Sequence, residues 1–208
     1  WIVLKKSYSL LFTFYFLFSI LGLIRFGWKF TPFSSKEYLY PVTPAIKFLQ
    51  ENMGINDRYM TLDRRLLPPN ANIMYKLKSI EGYDPIYSKD YAVKIAGMEN
   101  GDETIPDYGR IIRPTNFNSP IAGELNVKYV LSLTDLDSPK LGLVFKEGET
   151  RVYYNKEFFP RAFMVYNFRC AESRQRAIEL LMDEKIDHHK KVILEENLPI
   201  DLLKLTNE

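Results

Sequence analysis

An uncharged run near the start of the chain constrains its fold more than any other feature. Residues 7–24, SYSLLFTFYFLFSILGLI, contain no charged side chain, and basic residues flank the run at both ends. At about 1.5 Å per residue, a helix of this length spans roughly 27 Å, close to the hydrocarbon thickness of a bilayer. The sequence therefore predicts a transmembrane helix, with its flanks, in residues 1–30.

Two other interpretations of the run stay open. Lys5 and Lys6 before an apolar segment resemble the start of a signal peptide, but Arg25 follows the run instead of a small-residue cleavage site. The other interpretation is the core helix of a soluble domain. Such a helix usually shows one polar side to water, but aromatic residues cover all faces of this run. Two cations at each end leave the orientation open. Since the chain begins with Trp and not Met, we also expect native residues upstream.

The composition of the chain argues against nucleic-acid binding and against an internal disulfide. Four of the 28 basic residues lie in the first 35 positions, which leaves 24 basic residues against 26 acidic ones. A nucleic-acid binder needs a basic run or face, and none is present, so we expect no nucleic-acid partner. Cys170 is the only cysteine, which rules out an internal disulfide, and we expect it to be a small buried residue.

Helical and extended patterns alternate after a short linker at 31–40. Thr43 and Pro44 suit the start of a helix, since threonine can cap it and proline lacks an N–H at a position that needs none. Expected helices are 44–53, 87–98, 121–125 and 173–183; expected strands are 58–63, 128–133, 142–146, 150–155, 163–168 and 191–195, with a turn at 81–85 and a long loop at 99–119. The pattern predicts an α/β (or α+β) domain over 41–208, with a mixed sheet and flanking helices, after one transmembrane helix.

Motifs for cofactors, metals and nucleophiles are missing from the sequence. His188 and His189 are adjacent, so their side chains point to different sides of a helix or strand, and we expect them in a solvated turn. The sequence has no HExxH, no CxxC, no GxSxG and no glycine-rich phosphate loop. We therefore assign no catalytic residue, no metal ligand and no cofactor.

One loop-rich region is rich in carboxylates and tyrosines. The acidic residues there fit either acid–base chemistry or ordinary turns, as with Asp84 before a proline. Tyrosine rings can stack on sugars, but half-buried packing explains them equally well. The residues in question are Asp63, Glu81, Asp84 and Asp90 among the acids, and Tyr75, Tyr83, Tyr87, Tyr91 and Tyr108 among the tyrosines.

Several short phrases occur in a characteristic order along residues 40–198. Their order and spacing resemble the soluble C-terminal region of bacterial and archaeal membrane proteins of the YfhO type, relatives of the GT-C glycosyltransferases. The phrases are PAIKFLQ (44–50), RYMTLD (58–63), LPPNAN (67–72), IEGYDPIY (80–87), ELNVKYVL (124–131), RVYYN (151–155) and PRAFMV (160–165).

The resemblance implies a polytopic parent protein in the cell membrane, with this soluble domain facing outside. Such a parent transfers a sugar from a polyprenyl-phosphate donor to a glycan or lipid acceptor. The catalytic acid of these enzymes usually lies in a loop upstream of the region seen here, so this chain inherits no catalytic residue. The chain would then be a non-catalytic extracytoplasmic part that positions the acceptor or caps the active site.

Three residues are the candidate substrate contacts under this interpretation: Tyr83 and Asp84 in the 81–85 turn, and Arg161. Two other functions remain open. The chain can be a membrane-anchored binding or assembly module without transferase activity, or an anchored hydrolase that acts alone.

Overall fold

The computed structural model of the protein describes residues 2–30 and 34–196. Contacts between residues divide the chain into two units, Trp1–Pro41 and Val42–Glu208. Residues 31–33 of the expected linker and the end of the expected soluble domain, 197–208, lie outside the described residues.

The first unit is built on one long helix, α1 (Ile2–Phe30). Its segment Tyr8–Trp28 is 21 residues long and apolar enough to cross a membrane, and its most apolar window has no buried residue. Two hydroxyls inside it donate to the helix's own backbone: Thr13 Oγ1 to the carbonyl of Ser9 and Ser19 Oγ to that of Tyr15, both at 2.9 Å. Internal hydrogen bonds of this kind satisfy polar groups where water is absent.

A mixed four-stranded sheet is the centre of the second unit. Its order is β1-β4-β6-β5, where β1 and β4 run parallel and the other two pairs are antiparallel. The antiparallel strands β5 and β6 form a hairpin whose last pair, Glu147 and Thr150, encloses a two-residue turn with Gly148 at φ 54°. The strands are β1 (Arg58–Thr61), β4 (Val127–Ser132), β5 (Leu141–Glu147) and β6 (Thr150–Asn155).

Two smaller sheets of two strands each lie outside the main sheet. The first is antiparallel and pairs β2 (Gly82–Tyr83) with β3 (Ile111–Ile112). The second is parallel and pairs β7 (Asn167–Cys170) with β8 (Lys191–Leu194).

Among its described residues the second unit has four α-helices, and three of them have a hydroxyl cap. Thr43 accepts from the N–H of Ile46, Ser119 from Ile121 and Ser173 from Arg176, at 3.1–3.3 Å. Each bond satisfies an N–H that has no partner inside its helix. The helices are α2 (Pro44–Asn52), α3 (Lys89–Asn100), α4 (Pro120–Glu124) and α5 (Arg174–Leu181).

The main sheet buries both of its faces, because alternate residues of its strands enter two separate hydrophobic clusters. On β1, Met60 belongs to the cluster that contains residues of α3 and α4, whereas Tyr59 belongs to the cluster that contains residues of α2. On β4, Val130 and Leu131 divide in the same way. The expected α/β fold with a mixed sheet and flanking helices is therefore confirmed.

Three local expectations were wrong. The strand expected at 163–168 begins only at Asn167, since residues 163–166 have no strand partner. Part of the turn expected at 81–85 is extended, because Gly82 and Tyr83 pair with a strand inside the long loop expected at 99–119. Cys170 is half-buried and not fully buried, with its Sγ 3.8 Å from the carbonyl oxygen of Glu196.

Close backbone contact makes Gly123 of α4 a test of the fold. A Cβ at this position would overlap the carbonyl oxygen of Glu157, which is backbone and cannot swing aside. We expect Gly123→Ala to lower the free energy of unfolding by about 3 kcal/mol, as overpacking does in a close-packed interior. The measurement is urea unfolding of the full chain in detergent micelles, followed by circular dichroism.

Gly142→Ala is the matched control for this prediction. Its added Cβ would lie 3.7 Å from Cε of Lys156, an ordinary contact with a flexible side chain. Equal losses of stability for the two variants would contradict the tight packing of α4 against residue 157.

Candidate functional site

Glu81 lies in a segment that runs beside β1. The N–H of Tyr59 donates to the carbonyl of Lys78 at 3.0 Å, and the N–H of Ile80 donates back to the carbonyl of Tyr59 at 3.2 Å. This pairing brings the next residue, Glu81, to the end of β1. There both carboxylate oxygens accept from Thr61: one from its N–H and the other from its Oγ1 at 3.0 Å.

Burial changes the acidity of Glu81. Removal of its carboxyl from water raises its pKa to about 7, because the charged form loses hydration. The two hydrogen bonds from Thr61 and the positive charge of Arg113 favour the charged form and offset part of this effect. Glu81 therefore exchanges a proton near neutral pH, unlike an ordinary surface glutamate.

A small cavity opens beside this carboxyl, and we call it the Glu81 cleft. Its volume is about 230 Å³. The lining combines carboxylates, hydroxyl groups, aromatic rings and one guanidinium. The lining residues are Arg58, Ser79, Ile80, Glu81, Gly82, Asp84, Tyr87, Tyr91 and Ile112.

Tyr91 is fixed in the wall of the Glu81 cleft. Its hydroxyl donates to the carbonyl of Ile80, the residue before Glu81. Burial raises the pKa of Tyr91 to about 12, although the positive charge of Arg58 acts in the opposite direction. The tyrosine is thus a neutral, oriented hydroxyl at physiological pH.

Arg58 reaches the cleft from the first residue of β1. Its Nη1 donates to the carbonyl of Leu125 at 3.4 Å. Burial lowers its pKa, and the positive charge of Arg161 lowers it further. Within the part of the chain that the structure describes, no carboxylate lies within 4.0 Å of either guanidinium.

The structure places the three sequence-based candidates differently. Asp84 lines the Glu81 cleft, and its Oδ1 also accepts from the N–H of Ile86 at 2.8 Å, as in a turn. Tyr83 does not line it, and the residue is 45% exposed. Its backbone instead exchanges two hydrogen bonds with the side chain of Asn70, at 2.7 and 3.0 Å. Arg161 is exposed and does not line the cleft.

Sequence reasoning did not single out Arg58 as a binding residue, and it left Glu81, Tyr87 and Tyr91 between functional and structural interpretations. The phrase at residues 80–87 carries two of these residues, Glu81 and Tyr87, together with Asp84, so it was the one usable signal for the cleft. Arg58 gave no signal, because it stands at the start of an ordinary strand and reaches the cleft only through tertiary packing.

A second and larger cavity lies between helices and the small parallel sheet, and we call it the α3–α5 cavity. Its volume is about 610 Å³. The lining is mainly apolar, and each of its three carboxylates has a basic partner: Glu124 pairs with Lys94 at 3.1 Å, and Arg174 pairs with both Asp90 at 3.1 Å and Glu195 at 3.3 Å. The apolar lining residues are Val93, Ile121, Phe159, Phe163, Val165, Ala177, Ile178, Leu181, Val192 and Ile193.

The two histidines lie in a turn between α5 and β8, as expected, and His189 is exposed, but the expectation of a solvated side chain was wrong for His188. The side chain of His188 is 8% exposed, lines the α3–α5 cavity and has its Nδ1 3.7 Å from a carboxylate oxygen of Glu124. The ring of His189 packs on Phe159, with centroids 3.9 Å apart. Among the described residues, no group of three metal-binding side chains lies close enough together to hold an ion.

Comparison with protein-family models, with curated proteins and with solved structures finds no match to this chain. The likeness to YfhO-type proteins therefore stays a prediction from the sequence. Any function has to be argued from the geometry of the site.

The raised pKa of Glu81 predicts a pH-dependent stability. The folded state holds this proton up to a pH of about 7, whereas the unfolded chain releases it near 4.5, so the free energy of unfolding falls as pH rises through this window. The loss amounts to about 3 kcal/mol. In Glu81→Gln, the amide can still bond to Thr61 but does not titrate, so this loss should vanish. Thermal unfolding midpoints of the full chain in micelles at pH 5, 6, 7 and 8 measure it.

Glu99→Gln is the control for this experiment. Glu99 also accepts from the N–H and the hydroxyl of a threonine, Thr115, at 2.7 and 2.8 Å, but it does not line the cleft. This variant should keep the pH dependence of the wild type. A Glu81→Gln profile as steep as that of the wild type would contradict the buried proton.

Proposed function

We propose that this chain is the non-catalytic, extracytoplasmic part of a membrane-bound glycosyltransferase of the GT-C-like type, and that its Glu81 cleft binds the acceptor glycan. The observation that carries the proposal is the composition of the cleft. A cavity of about 230 Å³ brings carboxyl groups, hydroxyls and tyrosine rings together. This size suits one sugar unit and not an extended chain.

The chemistry of each wall group fits a sugar. Asp84 keeps one carboxylate oxygen free of the turn bond to Ile86 and can accept from a sugar hydroxyl. The ring of Tyr87 is half-buried in the lining and offers a flat apolar face, onto which the C–H face of a pyranose can stack. Glu81, which holds its proton near neutral pH, adds a group that can donate or accept.

Helix α1 is the observation that supports the membrane-bound part of the proposal. Helix α1 is long and apolar enough to lie in a lipid bilayer. A polyprenyl-phosphate sugar, the donor implied by the family resemblance, would be held by the parent's membrane helices, and the domain at residues 41–208 would present the acceptor to it. The reacting groups belong to the parent, and none is assigned in this chain.

One observation favours the second candidate function, an anchored binding or assembly module without transferase activity. The α3–α5 cavity is the larger of the two, and its mainly apolar lining suits a ligand that is not a sugar. Deletion of residues 36–208 from the parent separates the two candidates. Sugar transfer by the parent should fall on deletion if the domain positions the acceptor, whereas a full-length parent that transfers no sugar would favour the module.

Direct binding tests the glycan site. In the full chain held in lipid nanodiscs, Asp84→Asn should weaken oligosaccharide binding about tenfold, since it removes one charged hydrogen bond but keeps the turn acceptor for Ile86. Isothermal titration with a panel of neutral and acidic hexose oligosaccharides provides the measurement. Absence of saturable binding by every oligosaccharide would overturn the proposal.

Asp102→Asn is the matched control for this substitution. Asp102 forms the same kind of turn, accepting from the N–H of Thr104 at 2.8 Å, and it does not line the cleft. Binding by this variant should equal that of the wild type. Equal weakening by the two substitutions would show that the effect comes from charge or folding and not from the cleft.

A labelling experiment tests the proposal that the domain at residues 41–208 lies outside the cytoplasm. Ile55 is 87% exposed, so Ile55→Cys, made together with Cys170→Ser, creates one accessible thiol. We expect a membrane-impermeant maleimide to label this variant in right-side-out membrane vesicles before any detergent is added. Labelling that requires detergent would place the domain on the cytoplasmic side.

A further inference from the structure

Four consecutive large apolar residues, FMVY at 163–166, lie outside the hydrophobic clusters of the second unit. Met164 is 75% exposed and Tyr166 is 78% exposed, and neither belongs to a helix or a strand. Single exposed apolar residues are common on protein surfaces, but a run of them on a soluble domain indicates a binding surface. This run is therefore a candidate for contact with a partner.

The side chains between the exposed ones anchor the run to the domain. The ring of Phe163 packs edge-on against Phe159, with centroids 5.6 Å apart, and lies 6.0 Å from the ring of His189. Val165 lines the α3–α5 cavity, as Phe163 does. Because inner and outer residues alternate, as in an extended chain, the fold presents Met164 and Tyr166 together on its outer side.

Basic residues border the run, and acidic ones are absent from it. Residues 158–171 contain Arg161 and Arg169 but no acid. The pairing of β7 with β8 adds Lys191, which lies opposite Asn167. Arg161, Arg169 and Lys191 are all exposed, and none of them has a carboxylate within 4.0 Å among the described residues. An apolar centre with a basic border is typical of a surface that binds anionic lipid.

The long apolar helix keeps a lipid surface within reach of this domain. Helix α1 is apolar enough to cross a membrane and ends at Phe30, and α2 of the second unit begins at Pro44. Residues 31–43, which connect them, can span at most roughly 50 Å. With α1 in a bilayer, the domain therefore meets lipid headgroups at a high effective concentration, whereas a soluble partner has to be recruited from solution.

We propose that the segment at residues 161–169 is a second membrane contact of the chain, separate from α1, and that its partner is an anionic lipid surface. Met164 and Tyr166 enter the headgroup region, where tyrosine is favoured because its ring is apolar and its hydroxyl is polar. The three cations of the border bind lipid phosphates. This contact holds the domain against the bilayer, and it does not depend on glycan binding.

A fluorescent label measures whether the segment contacts lipid. Met164→Cys, made together with Cys170→Ser, receives an environment-sensitive maleimide dye, and the full chain is placed in nanodiscs that combine phosphatidylcholine with the anionic phosphatidylglycerol. Lipids that carry a nitroxide quench only dyes in contact with the bilayer. They should quench this label strongly, whereas iodide in the water should not.

Ile55→Cys with the same Cys170→Ser background is the matched control. Ile55 is 87% exposed and lies outside the segment. Its label should show the opposite pattern, with strong quenching by iodide and little by the lipid nitroxides. Because Met164 and Ile55 are both largely exposed, neither substitution removes a core contact.

Charge variants test the chemistry of the lipid. In nanodiscs of phosphatidylcholine alone, or at high salt, quenching of the label at position 164 should fall. Arg161→Gln together with Arg169→Gln should reduce the ratio of lipid-bound to detached domain roughly twenty-five-fold, since each basic residue near an anionic surface contributes about fivefold. Arg64→Gln together with Arg110→Gln removes the same charge from exposed positions outside the segment and should leave the quenching unchanged.

Three results would overturn the inference. They are equal lipid quenching of the two labels, strong iodide quenching at position 164, and lipid quenching that is indifferent to the charge of the headgroups and of the segment. A label at position 164 that is shielded from both quenchers would also overturn it, because a protein, such as a second copy of this chain, would then cover the segment in place of lipid. The oligosaccharide titrations are separate, so their failure would overturn glycan binding and leave this contact intact.

Discussion

The hydrogen bonds of Asn126 fix three distant parts of the chain relative to one another. Its φ of 62° lets the chain leave α4 and enter β4 with only Leu125 and Asn126 between them, a left-handed geometry that asparagine tolerates better than most residues. Its carbonyl holds the start of β1 at Arg58, and its amide holds the chain at Phe159. The residue is 2% exposed, so removal of its side chain would leave the carbonyl of Phe159 without this donor, at a cost of about 1–3 kcal/mol.

A second constraint arises at the other end of β1. The N–H and hydroxyl of Thr61 are fully buried and need acceptors inside the protein. Glu81 supplies both, so its carboxyl is buried for a structural reason before any ligand is considered. The same burial raises its pKa and places it at the wall of the cleft. The hydrogen bonding of Thr61 at the end of β1 and the chemistry of the cleft therefore both depend on the side chain of Glu81.

Local sequence patterns correctly predicted the elements whose ends are determined by neighbouring residues. The cap at Thr43 and the proline after it specify the start of α2, and Gly148 specifies the turn between β5 and β6. Elements that depend on distant partners were missed. Strand β2 has only two residues and exists because β3 lies beside it. Burial of His188 likewise follows from packing near Glu124 and has no local pattern.

The candidate site was predictable only in part, for the same reason. Asp84 was found because its turn phrase is local, and it does line the cleft. Arg58 and Tyr91 join it through the pairing of β1 with residues 78–80 and through α3, which no spacing rule in the sequence reveals. Tyr83 shows the reverse case: it belongs to the same phrase, but strand pairing turns it away from the cleft.

The two cavities differ in how their polar groups are engaged. In the α3–α5 cavity each of the three lining carboxylates has a basic partner at 3.1–3.3 Å, and most of the remaining lining is apolar. In the Glu81 cleft, by contrast, Asp84 has a carboxylate oxygen outside its turn bond to Ile86, and Arg58 lies beside it in the lining. Available hydrogen-bonding groups therefore favour the smaller cavity for the proposed glycan, although the larger one offers more room.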